Sequence, residues 1–202
     1  MILVINYGLG NISAFSNILY DLNASFKIGT CVGDFDGVTK IILPGVGSFD
    51  WAMQKLKSSG IRSILDELVI SKKVPVLGVC VGMQIMANSS EEGKEKGLGW
   101  INANVLKFKQ DKLKQPSLPH MGWNKVETQD NLIFKGIKDP KFYFLHSYYV
   151  DPLEIEISNA WSNYHHRFTC SIKASENIFG VQFHPEKSHF WGKKLIRNFI
   201  DL

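Results

Sequence analysis

Val74-Pro75-Val76-Leu77-Gly78-Val79-Cys80-Val81-Gly82-Met83-Gln84 is the stretch whose reading decides the fold. It opens as an apolar run without polar alternation, the pattern of a strand buried on both faces. Pro75 has no N–H for a ladder, which confines it to the strand's start. The run breaks at Gly78-x-Cys80-x-Gly82, and a helix is expected from Met83 to Asn88. A strand turning at once into a helix, with glycines on either side of a nucleophile, is the cysteine form of the nucleophile elbow. Such a reversal leaves no room for Cβ atoms beside the nucleophile.

Outward from this stretch, Ile2–Ile5 and Lys40–Leu43 repeat the short apolar run, the second closed by Pro44-Gly45. Ser13–Leu22 carries Phe15, Ile18, Leu19 and Leu22 at helical spacing, and Trp51–Ser71 reads as helix with a break near Gly60. Strands alternating with helices predict an α/β fold with a mostly parallel central sheet flanked by helices. In the later half, Gly99–Val126, Lys141–Val150 and Ile172–Phe183 are rich in short β segments, read as mixed or antiparallel strands added to the same core. Lys193–Leu202 is patterned as a closing amphipathic helix. Without a low-complexity linker or an internal repeat, residues 1–202 read as one domain.

Composition removes several function classes. Of 202 residues, 45% are hydrophobic and 21% charged, the balance of an ordinary globular chain. The net charge of +4 is scattered, with no basic stripe among aromatics, which argues against nucleic acid. Cys31, Cys80 and Cys170 are odd in number and lack C-x-x-C spacing, so neither a disulfide framework nor a zinc site is expected. Met1–Gly8 lacks the basic start of a signal peptide, and no run approaches the roughly 20 apolar residues that span a bilayer. A cytoplasmic protein without membrane attachment is the expectation.

The chemistry centres on Cys80. At a helix N-terminus the dipole and unpaired N–H groups favour a thiolate, and the N–H of Val81 points where an oxyanion would form. For an isolated G-x-C-x-G, a buried structural cysteine is an equal reading. A second segment changes the balance: Gly180-Val181-Gln182-Phe183-His184-Pro185-Glu186 ends a strand with His and Glu two positions apart. In extended backbone such residues project to one side, and proline disfavours helical angles at His184. His184 can then take the thiol proton while Glu186 fixes its tautomer. Cys31 and Cys170 lack such a context, and the adjacent His165-His166 make no metal site.

Pro44-Gly45-Val46-Gly47, Gly78-Val-Cys-Val-Gly-Met-Gln84 and Phe183-His-Pro-Glu-Lys-Ser188 occur in this order. Asn6-Tyr7-Gly8-Leu9-Gly10-Asn11, Gly97-Leu98-Gly99-Trp100, Pro119-His120-Met121-Gly122-Trp123-Asn124 and Phe144-Leu145-His146-Ser147-Tyr148 accompany them. On these motifs the chain resembles class I glutamine amidotransferases, and more narrowly the glutaminase subunits of imidazole glycerol phosphate synthase. The resemblance implies a flavodoxin-like α/β fold and glutamine hydrolysis through a thioester, with Cys80, His184 and Glu186 as triad. It implies an oxyanion hole from Val81 with Val46 and Gly47, and a glutamine site of Gln84, Gly47, His146, Ser147 and Tyr148. Ammonia would pass to a HisF-type (β/α)8 synthase barrel, the heterodimer partner in histidine biosynthesis, across a face bearing Asn11, Trp123 and Lys187. No cofactor or metal is implied.

Because Gly47 tolerates positive φ, the Val46–Gly47 peptide is expected to rotate between donating and non-donating states, biased by partner and ligand. Other readings stay open. His189-Phe190-Trp191-Gly192 and Tyr164-His165-His166-Arg167-Phe168 depart from the commonest histidine-pathway pattern. A paralogue feeding ammonia to amidation or amidination of bacterial surface sugars would share the triad. A catalytically silent scaffold is opposed by the intact triad, and a cysteine peptidase by Gln84 and His146-Ser147-Tyr148.

Overall fold

The computed structural model describes residues 1–109, 117–129 and 132–202. The part of the Gly99–Val126 expectation that falls on 110–116 therefore lies outside the described residues. β1 (Ile2–Ile5), β2 (Phe26–Gly29), β3 (Lys40–Gly45) and β4 (Val76–Cys80) begin the main sheet. β5 (Ser89–Ser90), β6 (Ala103–Lys107), β7 (His120–Lys125), β8 (Glu127–Thr128), β9 (Lys141–His146) and β10 (Tyr148–Pro152) follow. β11 (Ser158–Asn163), β12 (Arg167–Ala174) and β13 (Ile178–Val181) complete the strands described. The helices are α1 (Ile12–Asp21), α2 (Phe49–Ser58), α3 (Arg62–Asp66), α4 (Val81–Gln84) and α5 (His189–Ile200).

The main sheet runs β2-β1-β3-β4-β13-β12-β11-β8. β2, β1, β3, β4 and β13 are parallel, and β12, β11 and β8 continue the sheet antiparallel. Every residue of β1, β4 and β13 is buried, which is why these strands read as unbroken apolar runs. β4 lies between β3 and β13, and its pairing with β3 continues to Gly45 opposite Cys80. On the other side Val181 pairs with Val79. The Val46–Gly47 loop, the elbow and the segment leading to His184 thus leave the sheet side by side, at the carboxyl ends of parallel strands where α/β folds place their sites.

The later β segments are mixed and antiparallel strands, as expected, divided between the main sheet, a second sheet β10-β6-β5 and the antiparallel ribbon β7-β9. Other expectations are corrected. α2 starts two residues before Trp51, and the run after Gly60 is α3 continued by a π-helical turn at Glu67–Ser71. α5 starts at His189 rather than Lys193. The helix expected from Met83 to Asn88 is the four-residue α4. Its continuation is diverted: the carbonyls of Ile85, Met86 and Ala87 accept the N–H groups of Leu98, Trp100 and Gly99. A helix that short sums few peptide dipoles, so the dipole expected at Cys80 is correspondingly small.

Candidate active site

Cys80 has φ 55° and ψ −115°, a strained geometry for a residue with a Cβ. The surroundings hold it there. Tyr7 donates its hydroxyl to the carbonyl of Pro44 at 2.9 Å, beside the point where Gly45 packs against the backbone of Val81 and Gly82. Burial, with the nearby Cys80 charge, pushes the Tyr7 phenol well above its ordinary range, so it stays a neutral donor. Cys31 is exposed, and Cys170 is buried in β12, where burial pushes its thiol up.

His184 lines the same cavity as Cys80, whose thiol lies 4.0 Å from the carbonyl of Leu145. The Nδ1 of His184 lies 2.8 Å from Glu186 Oε1, with side-chain exposures of 3% and 2%. The expected pair is present, but the reason differs from extended strand geometry. β13 ends at Val181, and Glu186 is carried back under the imidazole by a 3-10 turn over Pro185–Lys187. The backbone of His184 is fixed twice over: its N–H donates to Tyr143 O at 2.8 Å, and its carbonyl accepts from Ser188 Oγ at 2.6 Å. Burial alone would lower the basicity of His184; hydrogen bonds to Cys80 and Glu186, and their charges, outweigh it and push the pKa up to about 10. Among the described residues Glu186 Oε2 has no hydrogen-bond partner, so this carboxylate makes its one side-chain bond to the imidazole.

A cavity of about 290 Å3 opens in front of Cys80 and His184. Val46, Gly47, Val81, Gln84, His146, Ser147 and Tyr148 border it, so the structure gathers the whole expected oxyanion and glutamine set around the thiol. Gly47 has φ +102°, the left-handed region expected of it. Two of these residues also serve the protein itself. Gln84 Nε2 donates to Tyr148 O and to Gln182 Oε1, both at 3.0 Å. His146 places Nδ1 2.7 Å from Tyr148 O and Nε2 2.9 Å from His120 Nδ1. Sequence reasoning assigned no role to Gln182, or to Glu92, which borders the cavity and accepts the N–H of Phe49 at 2.7 Å at the start of α2. Both acquire neighbours only through the fold.

The expected interface residues lie outside the cavity. Trp123 is 44% exposed, stacks on His189 and contacts Tyr143 edge-on. The Lys187 amine lies 5.6 Å over the same Tyr143 ring. Asn11 precedes α1, which packs on the Pro185–Lys187 turn, and makes no side-chain cap bond. Trp123 is thus a surface aromatic and not a core one.

The chain matches the family described as "Glutamine amidotransferase class-I" over residues 3–202. It belongs to the class I glutamine amidotransferases. Among these it is similar to "Imidazole glycerol phosphate synthase subunit HisH" of Leptospira borgpetersenii, 51% identical over the full length of both chains. The protein of that name from Bdellovibrio bacteriovorus is 47% identical, again over both full lengths. The fold is shared with a glutamine amidotransferase of Thermotoga maritima, TM-score 0.64 at 21% identity, covering 99% of this chain and 82% of that one. Among the described residues of this amidotransferase, no helix is long and apolar enough to cross a membrane.

Buried histidines set a pH profile for stability. Burial, then the charge of His165, lowers His120 to about 4. Burial also lowers His146, to about 3, against the pull of its bond to Tyr148. Groups depressed in the fold give stability that is present above the ordinary histidine value of about 6.5 and lost as pH falls toward 4 and 3. His184, raised in the fold, contributes stability that is present below about 6.5 and lost as pH rises toward 10. The melting temperature is expected to peak near pH 6.5. The alkaline limb should flatten in His184→Ala; melts of both chains across pH 4–9 check it, and an unchanged alkaline limb would remove His184 as its source.

Proposed function

We propose that this chain is the glutaminase subunit of imidazole glycerol phosphate synthase, using Cys80, His184 and Glu186 as triad and passing ammonia to a HisF-type barrel for histidine biosynthesis. The observation that carries the reading is the strained, buried Cys80 beside a His184–Glu186 pair, facing a cavity with Gln84, Ser147 and Tyr148 on its wall. Full-length similarity to subunits named for that synthase supports the pathway. Residues 1–202 act as one domain.

Glutamine enters with its carboxamide against Cys80. Sγ attacks the carboxamide carbon, and the oxygen takes up the charge against the Val81 N–H and a peptide N–H of the Val46–Gly47 loop. The C–N bond breaks as protonated His184 gives its proton to the departing nitrogen, leaving ammonia and a γ-glutamyl thioester. A water, deprotonated by His184, attacks the thioester, and glutamate leaves with the Cys80–carbon bond broken. Glu186 keeps the imidazole aligned and stabilises its charged form throughout. Free ammonia in water is mostly the non-nucleophilic ammonium ion, so the product needs a sheltered route to a partner. Asn11, Trp123 and Lys187 are assigned to that contact, and cytoplasmic location follows from the pathway.

The test pairs the chain with its synthase barrel and the phosphoribulosyl aminoimidazole intermediate. Glutamine should drive imidazole glycerol phosphate formation in the native complex. Cys80→Ala should abolish it while added ammonium salts still support product. Glutamine hydrolysis without transfer to this acceptor would instead favour the sugar-modifying paralogue. Undiminished glutamine use by Cys80→Ala would exclude this triad.

A further inference from the structure

Gln182 is completely buried, and its Nε2 lies 3.7 Å from Cys80 Sγ, a donor–sulfur contact. No steric need puts an amide here: a buried polar side chain costs free energy unless its hydrogen bonds are made. Those bonds form one chain whose polarity is fixed by main-chain carbonyls.

The carbonyl of Tyr148 can only accept. It therefore takes the N–H of Gln84 Nε2 at 3.0 Å and the N–H of His146 Nδ1 at 2.7 Å. Gln84 Nε2 also meets Gln182, which must present its oxygen there, at 3.0 Å. That places the NH2 of Gln182 at the opposite corner, toward the sulfur. On the other branch, neutral His146 has Nε2 free to accept from His120 Nδ1 at 2.9 Å, and His120 Nε2 accepts from Asn124 Nδ2 at 3.2 Å. Asn124 itself donates to the carbonyl of Asn163 at 2.7 Å. Both histidines are buried, and both fit this pattern only as neutral rings. Each donor along the line has an acceptor, so the orientation of Gln182 follows from the network and not from an arbitrary choice of amide flip.

We propose that Gln182 is a positioning residue for the nucleophile, holding an N–H on the Cys80 sulfur and favouring its thiolate. α4 is too short to supply much dipole, so a fixed donor at the sulfur has a defined job. The charged and titratable groups facing the sulfur are His184, with Glu186 behind it, and Tyr7. Gln182 adds a neutral donor that keeps its orientation at every pH where the fold survives. The inference rests on the reading of Cys80 as nucleophile.

The experiment measures the rate of Cys80 alkylation by iodoacetamide against pH in the full chain, native and Gln182→Met. Methionine keeps an unbranched side chain of similar length and removes the donor. A hydrogen bond to a charged group implies a profile moved up by roughly one to two pH units, and glutamine kcat/KM lowered roughly 10–100-fold near neutral pH. A residue that merely fills space would lower the melting temperature and leave the profile where it was. That outcome overturns the proposal. Should the variant not fold, the native chain decides: the Gln182 side-chain amide resonances must shift on alkylation of Cys80, and unmoved resonances overturn it. Alkylation needs no glutamine. A moved profile in a chain that fails to hydrolyse glutamine would therefore sink the glutaminase reading alone.

Discussion

Replacing His184 by alanine is expected to lower glutamine turnover by roughly 10²–10⁴-fold, the scale on which a positioned general acid–base acts. The proton held by the raised His184 is the one the departing nitrogen needs, and no second histidine can supply it. His146 borders the cavity but is buried neutral, with one ring nitrogen on Tyr148 O and the other on His120. The backbone at position 184 should survive the change, because its anchors to Tyr143 and Ser188 are a main-chain N–H and a main-chain carbonyl. The loss of turnover should fall on kcat, and the melting temperature near pH 6.5 should drop as well, because the stability that charged His184 contributes there is gone and buried Glu186 loses its partner. Glu186→Gln should cost less, since those anchors still orient the ring and only the carboxylate charge is lost. Steady-state hydrolysis with the partner present, and rapid-quench measurement of the thioester burst, separate acylation from binding. Native-like turnover in His184→Ala would remove this residue from the mechanism.

The legibility of this site in the sequence follows the range of the interactions that build it. The elbow is readable because its constraints are local: a buried strand, a nucleophile and glycines at fixed spacing. The His184–Glu186 pair is also readable, although the contact comes from a 3-10 turn and not from strand alternation. The length of α4 is not readable. What stops that helix is the later segment of Leu98, Gly99 and Trp100, whose N–H groups take the carbonyls of Ile85 to Ala87. Gln182 stands in its motif without a legible role, because that role depends on Gln84, Tyr148 and Cys80, which only the fold brings together. The parallel half of the sheet shows itself through runs buried on both faces. β2, part exposed, gives no such run, and the separate pairing of β7 with β9 depends on partners far apart in sequence.

Gly82→Ala is expected to prevent this chain from folding stably, at a cost above about 4 kcal/mol, among the largest that single substitutions produce. A Cβ at position 82 would lie 1.9 Å from the carbonyl oxygen of Leu43 and 2.9 Å from its carbonyl carbon. These are backbone atoms of β3, so no side-chain rotamer can relieve the clash. Relief requires either α4 to lift from the sheet or β3 to leave β4. The second option breaks the Leu43–Gly78 and Gly45–Cys80 pairings at the centre of the main sheet. The first moves Val81 and with it the N–H assigned to the oxyanion. Gly47→Ala makes the useful contrast. There the backbone sits at φ +102°, but the nearest atom to a Cβ is Trp51 Cδ1 at 3.8 Å, so the cost is conformational strain on the order of 1–3 kcal/mol. Urea midpoints and soluble yields of the two variants should differ sharply, with Gly47→Ala folded and Gly82→Ala not. A Gly82→Ala chain with the native midpoint would mean that β3 and the elbow do not approach as closely as the geometry here requires. The second oxyanion donor, which depends on that approach, would then have to be sought elsewhere.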